Sequence, residues 1–340
     1  MPSIPATDWI SVWKQGQVAV QACSSRIINE FETPTTVVIL TATHAFKLRK
    51  PVAQGLQDYR TEPQRRLAAR TEIAIGQRIS PQIYMGVWTL LDSGSARPRL
   101  MPYDAAGEPV VVMARLAHEL QLERLFSSLH TCAEMIDDVA TACARFHAAC
   151  PVDRRADGYG APERLLHAFA HCFEPSDPSL TPLTLPLPLS EQEQSGLQAQ
   201  TGAWIERLRP LLLQRVAEGR VREGHGDLRL KHVYLTRPWS VIDPLESSLE
   251  RRFCDVAAEV CFLAMELDDL GRQDASDRLL AKYAEAAQDP TLATVAPLFK
   301  RLRAAERAQV AWGRAAMATG LQVQAQLSRS RRLFELALGY

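Results

Sequence analysis

The chain has 340 residues, 46% hydrophobic and 23% charged, a balance that excludes wholesale disorder and leaves room for one large or two modest folded domains. Lysine plus arginine and aspartate plus glutamate both number 39, so no net field is available to hold a polyanion, and bulk binding to nucleic acid or an anionic membrane loses its usual driving force. No stretch approaches the roughly 20 consecutive apolar residues of a membrane span, and the first 18 residues lack a basic segment followed by an apolar run, so a cytoplasmic protein is expected.

The first third reads as strands. Residues 35–40 (TTVVIL) are β-branched and apolar, 44–48 (HAFKL) are shorter and alternating, and 109–113 (PVVVM) form another such run. Between the last two, residues 61–79 place Leu67, Ala68, Ile73 and Ile75 among charges and are closed by Pro81, which predicts a helix inserted into a small sheet. From Leu116 onward the pattern is helical. Residues 132–149 are rich in alanine, with Ile136, Val139, Cys143 and Phe146 at three- and four-residue intervals.

Residues 174–189 carry Pro175, Pro178, Pro182, Pro186 and Pro188 and predict an exposed extended connector. Ser190 with Glu193 is a capping-box signature opening a long helix to about Ala217. Residues 233–235 and 240–242, around a turn at Arg237-Pro238, predict two small strands, and helices follow to the end. Sheet first and helices later implies two lobes, divided here at 1–116 and 117–340, rather than an alternating wound fold.

Seven cysteines (Cys23, Cys132, Cys143, Cys150, Cys172, Cys254 and Cys261) are odd in number, scattered, and never spaced C-x-x-C. That argues against a disulfide framework and a zinc knuckle, and they are expected to be reduced and to serve as small apolar residues. Cys143 and Cys150, like Cys254 and Cys261, lie seven apart in helix-like segments.

Residues 223–243 read EGHGDLRLKHVYLTRPWSVID. Asp227 follows His225-Gly226, His232 comes five residues later, and Asp243 lies just beyond a short apolar strand. An acid on a loop, a second ligand a few residues on and an acid after a hairpin suit phosphoryl transfer, where one carboxylate orients the attacking hydroxyl and two groups hold the metal that neutralises the phosphates. The acidic run Glu266, Asp268 and Asp269 reads as a solvated helix end or as an acidic rim for a cationic substrate.

These residues resemble the aminoglycoside phosphotransferase and choline kinase-like family of the protein-kinase-like fold. Its catalytic loop H-G-D-x-x-x-x-N matches His225, Gly226 and Asp227, with His232 in place of the final Asn, and its later I-D matches Ile242-Asp243. Arg252, Asp255 and Glu259 resemble the R-x-x-D-x-x-x-E segment, and Ala144-Arg145-Phe146-His147 the A-x-F-H that ends the helix beneath the loop. Residues 45–52 (AFKLRKPV) resemble the A-Y-K-I-K-K-P-V strand of one bacterial group. Residues 72–87 resemble that group's E-L-R-L helix and the L-A-P-x-x-Y-x-G-V that follows it.

The resemblance runs from about Glu32 to about Tyr283. It implies an α+β, protein-kinase-like bilobal fold, with a small antiparallel-sheet N-lobe carrying one helix and a larger, mainly helical C-lobe. It also implies an ATP-dependent phosphotransferase acting on a small-molecule hydroxyl, with Mg2+ or Mn2+. Lys47, paired with Glu72, would contact nucleotide phosphates, and Met113, Ala114 and Leu116 would border the adenine. Asp243 and His232 would bind the metal, Asp227 would serve as base, and His225 would hold the loop.

In many relatives of that group a P-loop kinase domain follows. This chain shows no G-x-x-x-x-G-K-[ST] and stops at Tyr340, so that activity is expected either to be lost or to sit on a separate P-loop kinase chain. Two departures stand out. Ala42 replaces a frequent glycine in the phosphate-covering turn, and His232 offers nitrogen where Mg2+ prefers oxygen. They leave open a catalytically impaired nucleotide-binding or scaffold protein of the same fold. A third reading is a zinc hydrolase using His225, Asp227, His232 and Asp243.

Overall fold

The computed structural model describes residues 6–15, 18–20, 26–55, 57–91, 98–128, 133–155, 157–174 and 185–340. Most of the proline-rich connector, with Cys23 and Cys132, lies outside the described residues. By their contacts the residues form two compact units, 1–122 with 232–249 and 123–231 with 250–340. Residues 232–249, although flanked by helices in sequence, thus pack with the sheet.

The first unit starts with helix α1 (Ala6–Lys14) and strands β1 (Ala19–Val20), β2 (Asn29–Glu32), β3 (Thr36–Leu40) and β4 (His44–Arg49). After the two-residue strands β5 (Ala53–Gln54) and β6 (Gln57–Asp58) come helix α2 (Glu62–Ile79) and strands β7 (Tyr84–Leu91), β8 (Arg99–Met101) and β9 (Glu108–Ala114). Seven of these strands form one sheet in the order β1-β8-β7-β9-β4-β3-β2, antiparallel except for the β1–β8 pair. The runs expected as strands at 35–40, 44–48 and 109–113 are β3, β4 and β9.

Side chains alternate across a strand, and this sheet is buried on both faces. Val37, Ile39, Phe46, Leu48, Val110 and Val112 pack with Trp9 and Trp13 of α1 on one face, while Ala45, Val111 and Met113 meet Ala69 and Ile73 of α2 on the other. The buried face of α2 includes Ile73 and Ile75 but not every apolar residue of the helix. Leu67 is exposed, whereas Arg65, Ala69, Glu72, Ile73, Ile75 and Gly76 are buried. Gly76 permits this packing, because a Cβ there would come within 2.5 Å of the Tyr84 ring.

The second unit holds helices α3 (Leu122–Ser127) in most of its length, α4 (Ala133–Ala149), α5 (Pro162–Ala170) and α6 (Glu191–Ala217). Ser190 caps α6 by accepting from the Glu193 backbone, and Glu193 reaches back to the Ser190 N–H, forming the expected capping box. Strand β10 (Val221–Glu223) follows; β11 (Val233–Tyr234) and β12 (Ser240–Val241) are the expected hairpin of the first unit. Then come α7 (Leu249–Arg252), β13 (Phe253–Asp255), which pairs with β10, and helices α8 (Val256–Asp269), α9 (Gln273–Ala286), α10 (Leu292–Met317) and α11 (Leu321–Gly339).

Cys254 lies in β13 rather than in a helix. The five described cysteines are all free. Among the described residues no helix is long and apolar enough to cross a membrane.

Candidate active site

In the first unit, period-two alternation along β4 puts Lys47 and Arg49 on the α2 side of the sheet. Both are buried, at 6% and 2% exposed, and both reach Glu72 of α2, which is 0% exposed. Lys47 Nζ lies 3.0 Å from Glu72 Oε2 and 2.6 Å from Asp243 Oδ1, while Arg49 donates to Glu72 Oε2 at 2.5 Å. Arg49 also lies 3.2 Å from Glu246 Oε1, and the Tyr59 hydroxyl donates to the same carboxylate oxygen. Lys50, one residue past the strand, turns instead to Glu32 at 2.7 Å and donates to the Thr33 carbonyl at 2.7 Å.

Burial alone would lower the Lys47 pKa, but the carboxylates of Asp243, Glu72 and Glu246 outweigh it and hold the ammonium well above its ordinary value. Burial pushes the Glu72 carboxyl up, against the pull of Lys47 and Arg49. For Glu246 the opposing burial is overcome by Arg49 and Lys47, so its pKa is lowered.

Asp243 adopts φ +64°, a left-handed conformation that aspartate tolerates better than most residues. Its backbone N–H donates to the Tyr84 hydroxyl at 2.8 Å, and its carboxylate meets Lys47. These contacts stabilise a backbone that costs free energy. The Asp243 side chain remains 49% exposed, and His232 Nε2 lies 3.5 Å from its Oδ2. The hairpin supports this approach, because the Ile242 N–H donates to the His232 carbonyl at 2.9 Å. Thus Lys47, Glu72, Asp243 and His232 come together in one unit.

Met113 and Ala114 end β9, where Ala114 N–H donates to the Ile83 carbonyl at 2.8 Å. Met113 is buried, and Ala114, Leu116 and Ile242 pack against its cluster, giving an apolar surface beside Asp243. The turn with Ala42 closes on itself, since Thr41 N–H donates to the His44 carbonyl at 2.9 Å and the His44 N–H returns to Thr41 Oγ1 at 3.2 Å.

The second unit carries Asp227 and His225. Glu259, in the first turn of α8, accepts from the backbone N–H of His225 at 3.0 Å and of Gly226 at 2.5 Å. His147 at the end of α4 bonds Glu259 through Nε2 at 3.0 Å and the Tyr283 hydroxyl through Nδ1 at 2.6 Å. Burial of Glu259 is overcome by the hydrogen bond from His147, which helps to lower its pKa.

Two glycines make this cradle possible. A Cβ on Gly224 would come 2.2 Å from Glu259 Oε2, and Gly226 has φ +81°. The buried His225 accepts from the Asp227 N–H through Nδ1 at 3.3 Å. Asp255 caps α8 by accepting from the Ala257 N–H at 2.8 Å, and Arg215 grips both of its carboxylate oxygens at 2.7 Å.

The acidic run is not a rim for a cationic substrate, because its members already have cationic partners. Glu266 binds Arg229 and the Leu230 N–H, Asp268 lies 2.5 Å from Lys300, and Asp269 lies 2.9 Å from Arg332. The four residues of the zinc-hydrolase reading are divided between the units, His225 and Asp227 in the second and His232 and Asp243 in the first. Among the described residues no three His, Cys, Asp or Glu side chains gather to hold a metal. Sequence reasoning missed Arg49, Tyr59, Tyr84 and Glu246. Arg49 carried a usable signal, being two residues from Lys47 on one strand.

No protein-family model matches the chain. It is 30% identical over 292 residues to uncharacterized proteins of Mycobacterium tuberculosis and Mycobacterium bovis, a match covering 82% of this chain and 53% of theirs. The chain thus spans about half the length of the curated relatives it matches.

Among solved structures it is similar to aminoglycoside 2'-phosphotransferase-IIIa in its GDP complex, with a TM-score of 0.55 and 14% identity over 99% of this chain and 100% of that one. It is also similar to choline kinase from Cryptosporidium parvum Iowa II, with a TM-score of 0.52 and 11% identity over 92% of this chain and 88% of that one. The chain therefore has the α+β protein-kinase-like fold found in aminoglycoside phosphotransferases and choline kinases.

Proposed function

We propose that the chain is an ATP-dependent phosphotransferase that acts on a hydroxyl of a small molecule. The observation that carries this reading is the buried ion-paired set of Lys47 and Glu72 joined to the half-exposed Asp243. A lysine held charged by three carboxylates is suited to binding nucleotide phosphates, and Asp243 can hold a divalent ion.

The fit of such an ion is chemically reasonable. Mg2+ usually takes one or two carboxylates and completes its shell with water and substrate phosphates. Asp243 supplies the carboxylate and His232 a nitrogen; when bound, the ion would neutralise charge on the phosphates. Met113, Ala114 and Leu116 would border the base, and Asp227, on a loop fixed through Glu259, would orient the acceptor hydroxyl and take its proton.

A ligand that binds only the folded state stabilises it by about 2.7 kcal/mol at a hundredfold excess over Kd. ATP with Mg2+ is therefore expected to raise the melting temperature, with GTP compared in parallel. Lys47→Ala should remove most of that rise. Lys50→Ala should retain it, because Lys50 is engaged with Glu32 and the Thr33 carbonyl. Equal losses in both variants would overturn the assignment of Lys47, and binding without turnover across an alcohol and sugar panel would favour the impaired form.

His232 makes a separate prediction. Imidazole nitrogen suits Mn2+ better than Mg2+, so at fixed ATP the Mn2+ titration should give the larger thermal stabilisation. His232→Asn should move the preference toward Mg2+. Identical metal responses in wild type and the variant would remove His232 from the metal site.

A further inference from the structure

In the second unit, the side of the molecule that carries Asp227 holds an excess of guanidinium groups. Arg229, two residues after Asp227, is bound by Glu266, with Nε and Nη2 at 2.7 and 2.6 Å from Oε1. Its guanidinium lies 5.8 Å from the centre of the Phe262 ring of α8, and that of Arg303 lies 5.1 Å from the same centre. The loop and α10 therefore meet at one aromatic ring.

Further along α10, Arg307 and Arg314 stand four and eleven residues beyond Arg303, spacings that return to nearly the same helix face. Glu306 does not neutralise them, since it pairs with Arg303 at 2.7 Å and lies 4.0 Å from Arg251. Among the described residues, no carboxylate lies within ion-pair distance of Arg307 or Arg314, and Nε of Arg307 is buried without a hydrogen-bond partner.

The charges acting on Arg307 are Arg229 and Arg314 on one side of the balance and Asp227 and Glu266 on the other. Glu266 is already committed to Arg229 and the Leu230 N–H. Burial first, and then Arg229, pull the Arg307 pKa down to about 10; burial and Arg229 lower that of Arg314 too. A half-buried guanidinium flanked by like charges costs stability in the unliganded chain, and it presents planar paired donors that match a carboxylate or phosphate.

We propose that the phosphate acceptor carries, besides the hydroxyl that meets Asp227, an anionic carboxylate or phosphate group held by Arg307 and Arg314. This rests on the phosphotransferase reading, since it takes Asp227 as the point where the acceptor hydroxyl sits. Hydroxy acids and phosphorylated polyols or sugars fit the cluster, whereas a choline-like cation would be repelled by it.

The test is thermal-shift titration of the whole chain at constant ionic strength. Its probes are glycerol 3-phosphate and gluconate, their neutral counterparts glycerol and glucose, choline, inorganic phosphate, and separately ATP with Mg2+. Glycerol 3-phosphate or gluconate should raise the melting temperature where the neutral compounds and choline do not, and the arm that responds identifies the anion. Arg307→Gln and Arg314→Gln should each weaken that response at least about tenfold while keeping the response to ATP. Arg307→Gln should also raise the melting temperature of the unliganded protein, as removal of an unpaired charge predicts.

Equal stabilisation by the neutral compounds, a preference for choline, or an unchanged anion response in both variants would overturn the proposal. So would inorganic phosphate acting as strongly as the hydroxylated anions, because the cluster would then serve the transferred phosphoryl group. Loss of the ATP response alone would overturn the phosphotransferase reading and leave the anion site standing. Loss of the anion responses alone would do the reverse.

Discussion

Replacing Asp227 with asparagine is expected to lower turnover by ~100- to 10,000-fold, the usual contribution of a positioned general base, with little change in melting temperature. The loop is held in place mainly by other groups. Glu259 accepts from the backbone of His225 and Gly226, His147 and Tyr283 support Glu259, and Glu266 fixes residues 229 and 230.

Asparagine preserves the volume and can still accept a hydrogen bond, but it cannot take a proton at neutral pH. Charge neutralisation through Lys47 and Asp243 would survive, so a residual rate is expected rather than silence. The measurement is initial rate with the best acceptor from the screen, beside a melting curve and an ATP titration. Turnover within threefold of wild type would remove Asp227 as the base. A parallel collapse of the melting temperature would mean that its carboxylate instead holds the loop together.

What the sequence makes legible and what it hides follow from how far each signal reaches. β3, β4 and β9 declare themselves through β-branched or alternating runs, and Ser190 with Glu193 marks the start of α6 through contacts spanning three residues. β7 does not, because its register shifts between Tyr84 and Gly86 and breaks the alternation. β2 is exposed at every position, so the edge of the sheet carries no apolar pattern. Leu67 misleads in α2, whose buried side carries Arg65 and Glu72 because charged partners await them in the sheet.

The site divides in the same way. Lys47, Glu72, Asp227 and Asp243 stand out through motif resemblance and Arg49 is legible only through its spacing from Lys47 on one strand, but nothing local shows that Glu246 and Tyr59 join it. The acidic run from Glu266 to Asp269 has the same difficulty, since its partners Lys300 and Arg332 lie on α10 and α11. Ion pairs between distant segments leave no periodic trace.

The buried charges of the first unit give the largest expected loss of stability. Removal of Glu72 leaves Lys47 and Arg49 in the interior without the carboxylate they share, and breaking a buried pair by deleting one partner costs about 3–5 kcal/mol. Glu72→Ala should therefore move the urea midpoint down by the equivalent of that free energy, with the slope of the transition unchanged. Lys47→Met should cost less, because an apolar side chain of similar length fills the site and Glu72 keeps Arg49 at 2.5 Å.

The two variants should then separate what the site needs for folding from what it needs for binding. Lys47→Met should fold well and lose the response to ATP, whereas Glu72→Ala should lose stability first and bind ATP in proportion to the fraction that remains folded. A Glu72→Ala variant within about 1 kcal/mol of wild type would show that Glu246 and Asp243 alone satisfy both cations, and Glu72 would then be dispensable to the network.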